Sequence, residues 1–349
     1  MRQACGTAEN GAGVYGAIPD DFLRFFIKIR AFTPRKRAFS GKAIDKSGGV
    51  CYNVRRMPKR GEKMEITVAT RYHGAYPGGK YSGTACVDFL ADAGFTGLDV
   101  SLEEIGCLED AWESVLYAMA SRARARGLSL PTCHLPFAMP NPDDGQAMAT
   151  FAQALRLGVR GAKLMGIPVC VMHPIVRHVR ALTPAGEAAW IAENEQFLGP
   201  IVSYARARGI KPLIENMANT RESETDHLFG STAAQLRRLS EKLGCGICWD
   251  FGHAYLTGLD NPCQLAELHG CVDMVHIHDN DGKRDAHAIP YTGQIDWERA
   301  MCALRDTGYS GPLNLELKGS DLPADSELRQ EHAREAIRAA RRLCAAFEK

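Results

Sequence analysis

The chain has 349 residues, of which 45% are hydrophobic and 24% are charged, and its formal net charge is +1 at pH 7. This composition is typical of a globular protein with a large core, and it excludes collagen-like, mucin-like and wholly disordered classes. The sequence has no run of about 18 apolar residues, so we expect no transmembrane helix and no membrane partner.

Residues 1–63 form a basic leader. They carry 14 basic and 5 acidic residues, whereas the remainder carries 28 basic and 36 acidic residues. Its glycine-containing and charged stretches predict disorder, and the alternative is a membrane-surface or targeting helix over residues 24–37. A further hypothesis is that translation starts at Met64, where a strand-like pattern begins sharply. Purine-rich codons, similar to a bacterial ribosome-binding site, could encode the residues just before it.

The body of the chain, residues 64–349, alternates short apolar strands with helical stretches about every 35 residues, the size of one βα unit. The predicted strands are 66–73, 97–102, 128–135, 169–173, 212–215, 246–250, 274–278 and 312–317. The predicted helices are 82–93, 109–126, 146–165, 184–208, 232–243, 261–269, 297–306 and 324–347. Glycines such as Gly166 and Gly244 directly follow several predicted helices, as helix ends favour.

Eight strand–helix units predict an α/β protein with a closed (β/α)8 TIM barrel, because short apolar strands suit a parallel sheet that is buried on both faces. A doubly wound open sheet is the alternative. That fold would be expected to carry a glycine-rich phosphate loop after its first strand, and residues 71–79 contain neither G-x-G-x-x-G nor the P-loop pattern.

Six consecutive predicted strands end in side chains that can bind a metal. These residues, from the third strand to the eighth, are His134, His173, Glu215, Asp250 with His253, His276 with His278, and Glu316. The carboxyl ends of barrel strands open on one face, so these groups are expected to converge. Crowded carboxylates need charge compensation, and mixed carboxylate and imidazole donors suit Mn²⁺, Co²⁺, Mg²⁺, Zn²⁺ or Fe²⁺. Taken singly, a histidine here could be structural and Asp250 could cap a helix; their joint occurrence favours a metal site.

The twelve cysteines are scattered, which is typical of a protein from the reducing cytoplasm. Cys245 and Cys248 have C-x-x-C spacing, but they fall on a predicted strand rather than at a helix N-terminus. We therefore interpret them as core residues.

The segment from His276 to Trp297 reads HIHDNDGKRDAHAIPYTGQIDW. It resembles the H-x-H-D-N-D-G-x-x-D-x-H-x-x-P-G-x-G-x-I-D-W stretch of sugar phosphate isomerase/epimerase members of the xylose isomerase-like TIM barrel superfamily, and the resemblance covers roughly residues 64–345. Tyr291 stands where the family usually has glycine, which predicts an altered loop over the substrate.

This resemblance implies roles for particular residues. The implied ligands of the catalytic metal are Glu215, Asp250, His276 and Glu316. The implied contacts to substrate are His253 and Arg284, the latter at a spacing that differs from the family's. His134 and His173 are expected to line the substrate pocket or to bind a second ion. Asp285 and His287 are candidates for a second metal.

The resulting expectation is a divalent-metal-dependent isomerase or epimerase of a small sugar or sugar phosphate, in which Glu215 and Glu316 move a proton through an enediolate. One alternative is a type IV AP endonuclease, whose three zinc ions have nine ligands that all find counterparts here. The acidic body disfavours DNA as a partner. An inosose-type dehydratase and a non-enzymatic binding barrel also stay open, as does homo-oligomerisation.

Overall fold

The computed structural model describes residues 64–73, 83–103, 105, 111–219, 227–319, 322 and 325–349. The basic leader, residues 1–63, lies outside this part of the chain. The expectations about its disorder, its membrane or targeting role and the start at Met64 therefore stay predictions.

Eight parallel strands close into a barrel, which confirms the predicted fold. In chain order they are β1 (Ile66–Ala69), β2 (Gly97–Ser101), β3 (Ser129–His134), β4 (Val169–Met172), β5 (Lys211–Glu215), β6 (Gly246–Asp250), β7 (Val272–Ile277) and β8 (Leu313–Leu315). Each strand pairs with its neighbours in sequence, and β1 also pairs with β8, with Thr67 opposite Asn314. This last pairing excludes an open sheet, because it leaves neither β1 nor β8 at an edge.

Nine helices are described around the strands. They are α1 (Gly83–Ala93), α2 (Trp112–Ala125), α3 (Gly145–Met165), α4 (Pro184–Arg206), α5 (Ala233–Leu243), α6 (Phe251–Thr257), α7 (Asn261–Glu267), α8 (Trp297–Asp306) and α9 (Ser326–Phe347). The Asp144 carboxylate caps α3 by accepting from the next backbone amides, and the helix ends at Gly166 in the left-handed conformation, as predicted. Within the described residues, none of the helices combines the length and the apolar character needed to cross a bilayer.

One strand boundary and one additional helix differ from the sequence-based prediction, each for a physical reason. The predicted strand over 66–73 ends at Ala69, because residues 70–73 form a 3₁₀ turn that buries Tyr72 and His73. The short helix α6 was not predicted, and it begins directly after β6 because the Asp250 carboxylate accepts a hydrogen bond from the backbone amide of His253 at 2.6 Å.

The segment between β7 and α8 is folded around the buried carboxylate of Asp279. One carboxylate oxygen accepts from the backbone amide of Tyr291 at 2.9 Å and from the indole of Trp297 at 2.8 Å. The other accepts from the amides of Asn280 and Ile295 at 3.0 and 3.2 Å. This side chain therefore holds both ends of the segment that carries Asp285 and His287.

Asp279→Asn is expected to destabilise the fold by about 2–4 kcal/mol, because an amide nitrogen would face two buried donors and leave them unsatisfied. Urea unfolding of the full chain measures this loss. The control is Asp306→Asn on the exposed end of α8, for which a change within about 0.5 kcal/mol is expected. Equal unfolding midpoints for the two variants would contradict the role assigned to Asp279.

Candidate metal centre

Glu215 lies at the centre of the site, at the carboxyl end of β5, and is fully buried. Its Oε2 is 3.2 Å from Nε2 of His134 and 3.4 Å from Nε2 of His173. Its Oε1 is 3.1 Å from Nδ1 of His276 and 3.4 Å from Nδ1 of His253. Four imidazoles from four different segments therefore surround one carboxylate.

The four residues expected to bind the catalytic metal come together. Each of Glu215, Asp250, His276 and Glu316 offers one donor atom, and these atoms lie within 4.8 Å of one another. All four side chains are buried. Among the described residues, Oε1 of Glu215 and both ring nitrogens of His276 have no hydrogen-bond partner. Buried polar atoms are normally satisfied, so these atoms fit a bound cation.

A second group of donors lies beside the first. His253, His278, Asp285 and His287 also offer atoms within 4.8 Å of one another. Nε2 of His287 is 2.9 Å from the Asp285 carboxylate, and the rings of His278 and His287 stack with centroids 3.9 Å apart. Buried Nδ1 of His278 and Oδ1 of Asp285 have no hydrogen-bond partner in the described part of the chain. A third group joins His134 and His173 to Glu215.

His278 was expected to converge with the other strand-end groups but was given no role, and the structure places it in the second group. Its Nε2 is 3.1 Å from Oδ2 of Asp250. A Cβ atom at Gly252 would overlap the His278 ring, so the glycine makes the room that this ring occupies. The H-x-H spacing is the signal that could have given it a role, because residues two apart point to the same side of a strand.

Three histidines of the site are oriented through the backbone. Nδ1 of His134, His253 and His287 lies 2.7–2.8 Å from the carbonyl oxygens of Leu135, Asn216 and Glu316, respectively. A carbonyl can only accept, so Nδ1 carries the proton in each ring. Nε2 is then left with its lone pair, which is the arrangement found in metal-ligating histidines.

Arg71 is a residue that the sequence analysis missed. It follows β1 in the 3₁₀ turn, where its guanidinium lies 3.5 Å from Oε1 of Glu316 and over the ring of Phe137. Its position directly after a strand end is the signal that could have found it. The ammonium of Lys318 lies 3.7 Å from Oδ2 of Asp285. These two cations offset part of the carboxylate charge.

The structure does not bring Arg284 to the donor groups. Its side chain is 81% exposed and pairs with Asp281 at 3.6 Å. The Asp281 carboxylate also accepts from the backbone amides of Lys283 and Arg284, which forms a turn on the protein surface. The expected substrate contact of Arg284 is therefore not supported by its placement.

Tyr291 packs away from the donor groups, and the expectation that it alters a loop over the substrate stays a prediction. Tyr291 has φ +72°, which explains why glycine suits this position. Its ring lies under the guanidinium of Arg342 on the outer helix α9, 3.6 Å from the ring centre. The side chain therefore packs toward the helical layer.

The carboxylates and imidazoles of the site shift one another's pKa. Burial alone would raise the pKa of the Glu316 carboxyl, but His276 and His287 outweigh it and lower that pKa to about 2. Burial would likewise lower the pKa of His253, but Asp250, Asp285 and Glu215 raise it to about 9. At neutral pH without a cation, the Glu316 carboxyl is thus ionised and His253 carries a second proton, on Nε2. A divalent cation would compete with that proton.

A family model described as xylose isomerase-like TIM barrel matches residues 87–343. Among curated proteins, an uncharacterised protein of Methanocaldococcus jannaschii is 28% identical over 194 residues, which cover 53% of this chain and 63% of that protein. An uncharacterised protein of Sinorhizobium fredii is 39% identical over 74 residues, which cover 20% of this chain and 23% of that protein. The chain thus spans less than two thirds of the length of these relatives.

Solved structures share the fold. A D-tagatose 3-epimerase-like protein superimposes with a TM-score of 0.64 at 22% identity, covering 82% of this chain and 97% of its own. A D-psicose 3-epimerase crystallised with D-fructose gives 0.62 at 19% identity, with coverages of 80% and 99%. An L-ribulose 3-epimerase gives 0.59 at 18% identity, with coverages of 82% and 98%.

The raised pKa of His253 predicts how the stability of the metal-free protein depends on pH. A folded-state pKa of about 9, above the ordinary 6.5, stabilises the fold below pH 6.5, and this contribution is lost as the pH rises toward 9. We expect the free energy of unfolding to fall by up to about 3 kcal/mol over this window. Urea unfolding in the presence of a chelator measures it, with His253→Gln as the control that flattens the slope. A wild-type stability that is constant or rises from pH 6.5 to 9 would contradict the assignment.

Proposed function

Because the chain belongs to the xylose isomerase-like TIM barrel family, we propose that it is a divalent-cation-dependent isomerase or epimerase of a small sugar or sugar phosphate. The observation that carries this proposal is the convergence of Glu215, Asp250, His276 and Glu316 within 4.8 Å, with buried donor atoms left unpartnered. The fold shared with proteins named as sugar 3-epimerases supports it.

Three carboxylates and one imidazole form a donor set that suits Mn²⁺, Co²⁺, Mg²⁺ or Zn²⁺. When bound, such a cation supplies Lewis acidity toward a carbonyl oxygen, which makes the adjacent C–H bond more acidic. Glu215 and Glu316 are ionised in the structure, so either can accept a proton. Asp250 is held by its bond to the His253 amide and adds negative charge to the donor set.

Glu215 and Glu316 approach the site from different sides of the barrel mouth. Glu215 ends β5 and Glu316 follows β8, with β6 and β7 between them. One carboxylate removes the proton from the carbon beside the carbonyl. For epimerisation the other glutamate must first take a proton from solvent and then deliver it to the opposite face, while the abstracted proton stays on the first glutamate; for isomerisation the first glutamate delivers its proton to the neighbouring carbon.

Four further residues would orient the substrate or the glutamates. His253 has Nδ1 engaged with the Asn216 carbonyl, so its Nε2 is available to a hydroxyl group. His134 and His173 lie together on the other side of Glu215, with their Nε2 atoms 3.1 Å apart. Arg71 holds the Glu316 carboxylate from the direction of the first strand. These contacts would fix which carbon of the substrate faces each glutamate.

Glu316→Gln is expected to lower the rate of deuterium exchange from solvent into the substrate at least about 100-fold, because the amide cannot accept the proton. The exchange is followed by NMR in D₂O with D-fructose, D-tagatose, D-psicose and their phosphates, while elemental analysis measures the bound cation. The control is Glu331→Gln on the exposed face of α9, which keeps the wild-type rate. A wild-type exchange rate in Glu316→Gln would contradict the proposal that both glutamates transfer protons.

A second candidate function is hydrolysis of a phosphodiester at a multinuclear metal centre. The observation that favours it is that the described residues form five donor groups, of which three include Glu215. The Nε2 lone pairs of His134, His253 and His287 are presented by backbone hydrogen bonds, so these histidines also fit ligand positions. The acidic body of the chain disfavours DNA as the substrate.

The cation content of His287→Asn separates the two candidates. If the sugar reaction uses one cation held by the four-residue group, elemental analysis gives one divalent cation per wild-type chain, and His287→Asn leaves that number unchanged. We expect this result. Three zinc ions in the wild type, a lower count in the variant and cleavage of DNA that contains an abasic site would instead establish the second candidate.

A further inference from the structure

A buried polar layer lies inside the barrel beneath the metal centre. It consists of Thr67 on β1, Asp99 on β2, Thr132 on β3 and Asn314 on β8, all at most 1% exposed. The Thr132 hydroxyl donates to Oδ1 of Asp99 at 2.8 Å, and the Asn314 amide donates to Oδ2 at 3.2 Å. Asn314 is itself fixed, because its Oδ1 accepts from the Thr67 hydroxyl at 2.9 Å. The Asp99 carboxylate therefore has a defined orientation.

The buried Asp99 carboxylate is unusual for the interior of a barrel. Barrel interiors are filled mainly by Val, Ile and Leu, and a buried carboxyl group is costly unless it is paired. Its two hydrogen-bonding partners, Thr132 and Asn314, are both neutral. The ionisable group that faces it is His276, whose Nε2 lies 3.8 Å from Oδ2 of Asp99.

His276 differs from the other oriented histidines of the site. In His134, His253 and His287, Nδ1 donates to a backbone carbonyl and Nε2 is left for a ligand. In His276 the ring is reversed. Nδ1 faces the carboxylates of Glu215 and Glu316 at 3.1 and 3.5 Å, whereas Nε2 points down to Asp99. Neither nitrogen has a hydrogen-bond partner among the described residues, although the buried Cys248 thiol offers its sulfur within 4.8 Å of one of them.

We propose that Asp99 is a positioning residue that holds the Nε2–H of His276 and so leaves the Nδ1 lone pair directed at the metal centre. A ligating histidine commonly donates its other N–H to a carboxylate or a carbonyl. Among the described residues, no carbonyl accepts from Nε2 of His276. The hydrogen bond requires the two atoms to approach by about 1 Å, and long contacts in ligand-free sites tighten when the ligand binds. This inference rests on the proposed cation and is independent of the sugar reaction.

The competing interpretation is that Asp99 only joins β2 to β3 and β8. The two interpretations differ in what Asp99→Asn changes. A purely structural Asp99 affects the unfolding temperature and leaves the affinity for a cation unchanged. A positioning Asp99 affects the affinity, because loss of its charge weakens the preference for the tautomer that is protonated at Nε2.

The test measures Zn²⁺ affinity of the full chain by competition with a chelator, together with the unfolding temperature. Asp99→Asn is expected to weaken Zn²⁺ binding 10- to 100-fold, the range for loss of a partner of a metal ligand. The matched control is Asp273→Asn, which lies on the same strand as His276 but pairs with Lys211 at the protein surface. The control is expected to bind Zn²⁺ like the wild type. Wild-type affinity in Asp99→Asn would overturn the proposal.

A second measurement does not depend on the folding of a variant. In the Zn²⁺-loaded wild type with ¹⁵N-labelled histidine, the signals of His276 are identified by their absence in His276→Gln. We expect a proton on Nε2 and none on Nδ1, and the reverse tautomer would overturn the proposal. Absence of Zn²⁺ binding in the wild type would overturn both the cation site and the role of Asp99. Zn²⁺ binding without deuterium exchange into any tested sugar would count against the proposed reaction alone.

Discussion

The structure of the site depends on one electrostatic constraint, the complete burial of the Glu215 carboxylate at the end of β5. An ionised carboxylate in the interior of a protein costs several kcal/mol unless it is paired and hydrogen-bonded. Four histidines approach it within 3.1–3.4 Å, and they come from segments between positions 134 and 276. Only a closed barrel, in which all the strand ends point the same way, brings segments so distant in sequence to one carboxylate.

The barrel topology also explains why much of the site could be predicted from the sequence. The strand–helix period fixes the barrel, and the barrel fixes the side to which every strand end points. The strand-end groups could therefore be expected to converge without any distance being known, and the family resemblance singled out Glu215, Asp250, His276 and Glu316 among them. Arg284 shows the limit of this reasoning, because its place along the chain was suggestive but the Asp281 turn directs it outward. Arg71 was missed, and His278 was named at a strand end without a role, because their places in the site depend on packing, against Phe137 and Gly252 respectively.

The segment after β7 shows how the fold maintains an unfavourable backbone at the site. His287 and Tyr291 both have positive φ values, 47° and 72°. Such conformations are costly for side chains of this size and persist only where the surroundings determine them. Asp279 anchors the segment through four hydrogen bonds that its carboxylate accepts, and His287 donates to the Glu316 carbonyl. The backbone that presents Asp285 and His287 is thus fixed before any ligand arrives.

The pairing of β1 with β8 has a consequence for how the protein forms during synthesis. Glu316 directly follows β8, so the donor groups lack one carboxylate until the last barrel strand has left the ribosome. The strands already made would meanwhile expose two unpaired edges, of the kind that template wrong pairings between chains. The incomplete cluster also lacks one ligand of the proposed cation, so binding of that cation would follow closure of the barrel.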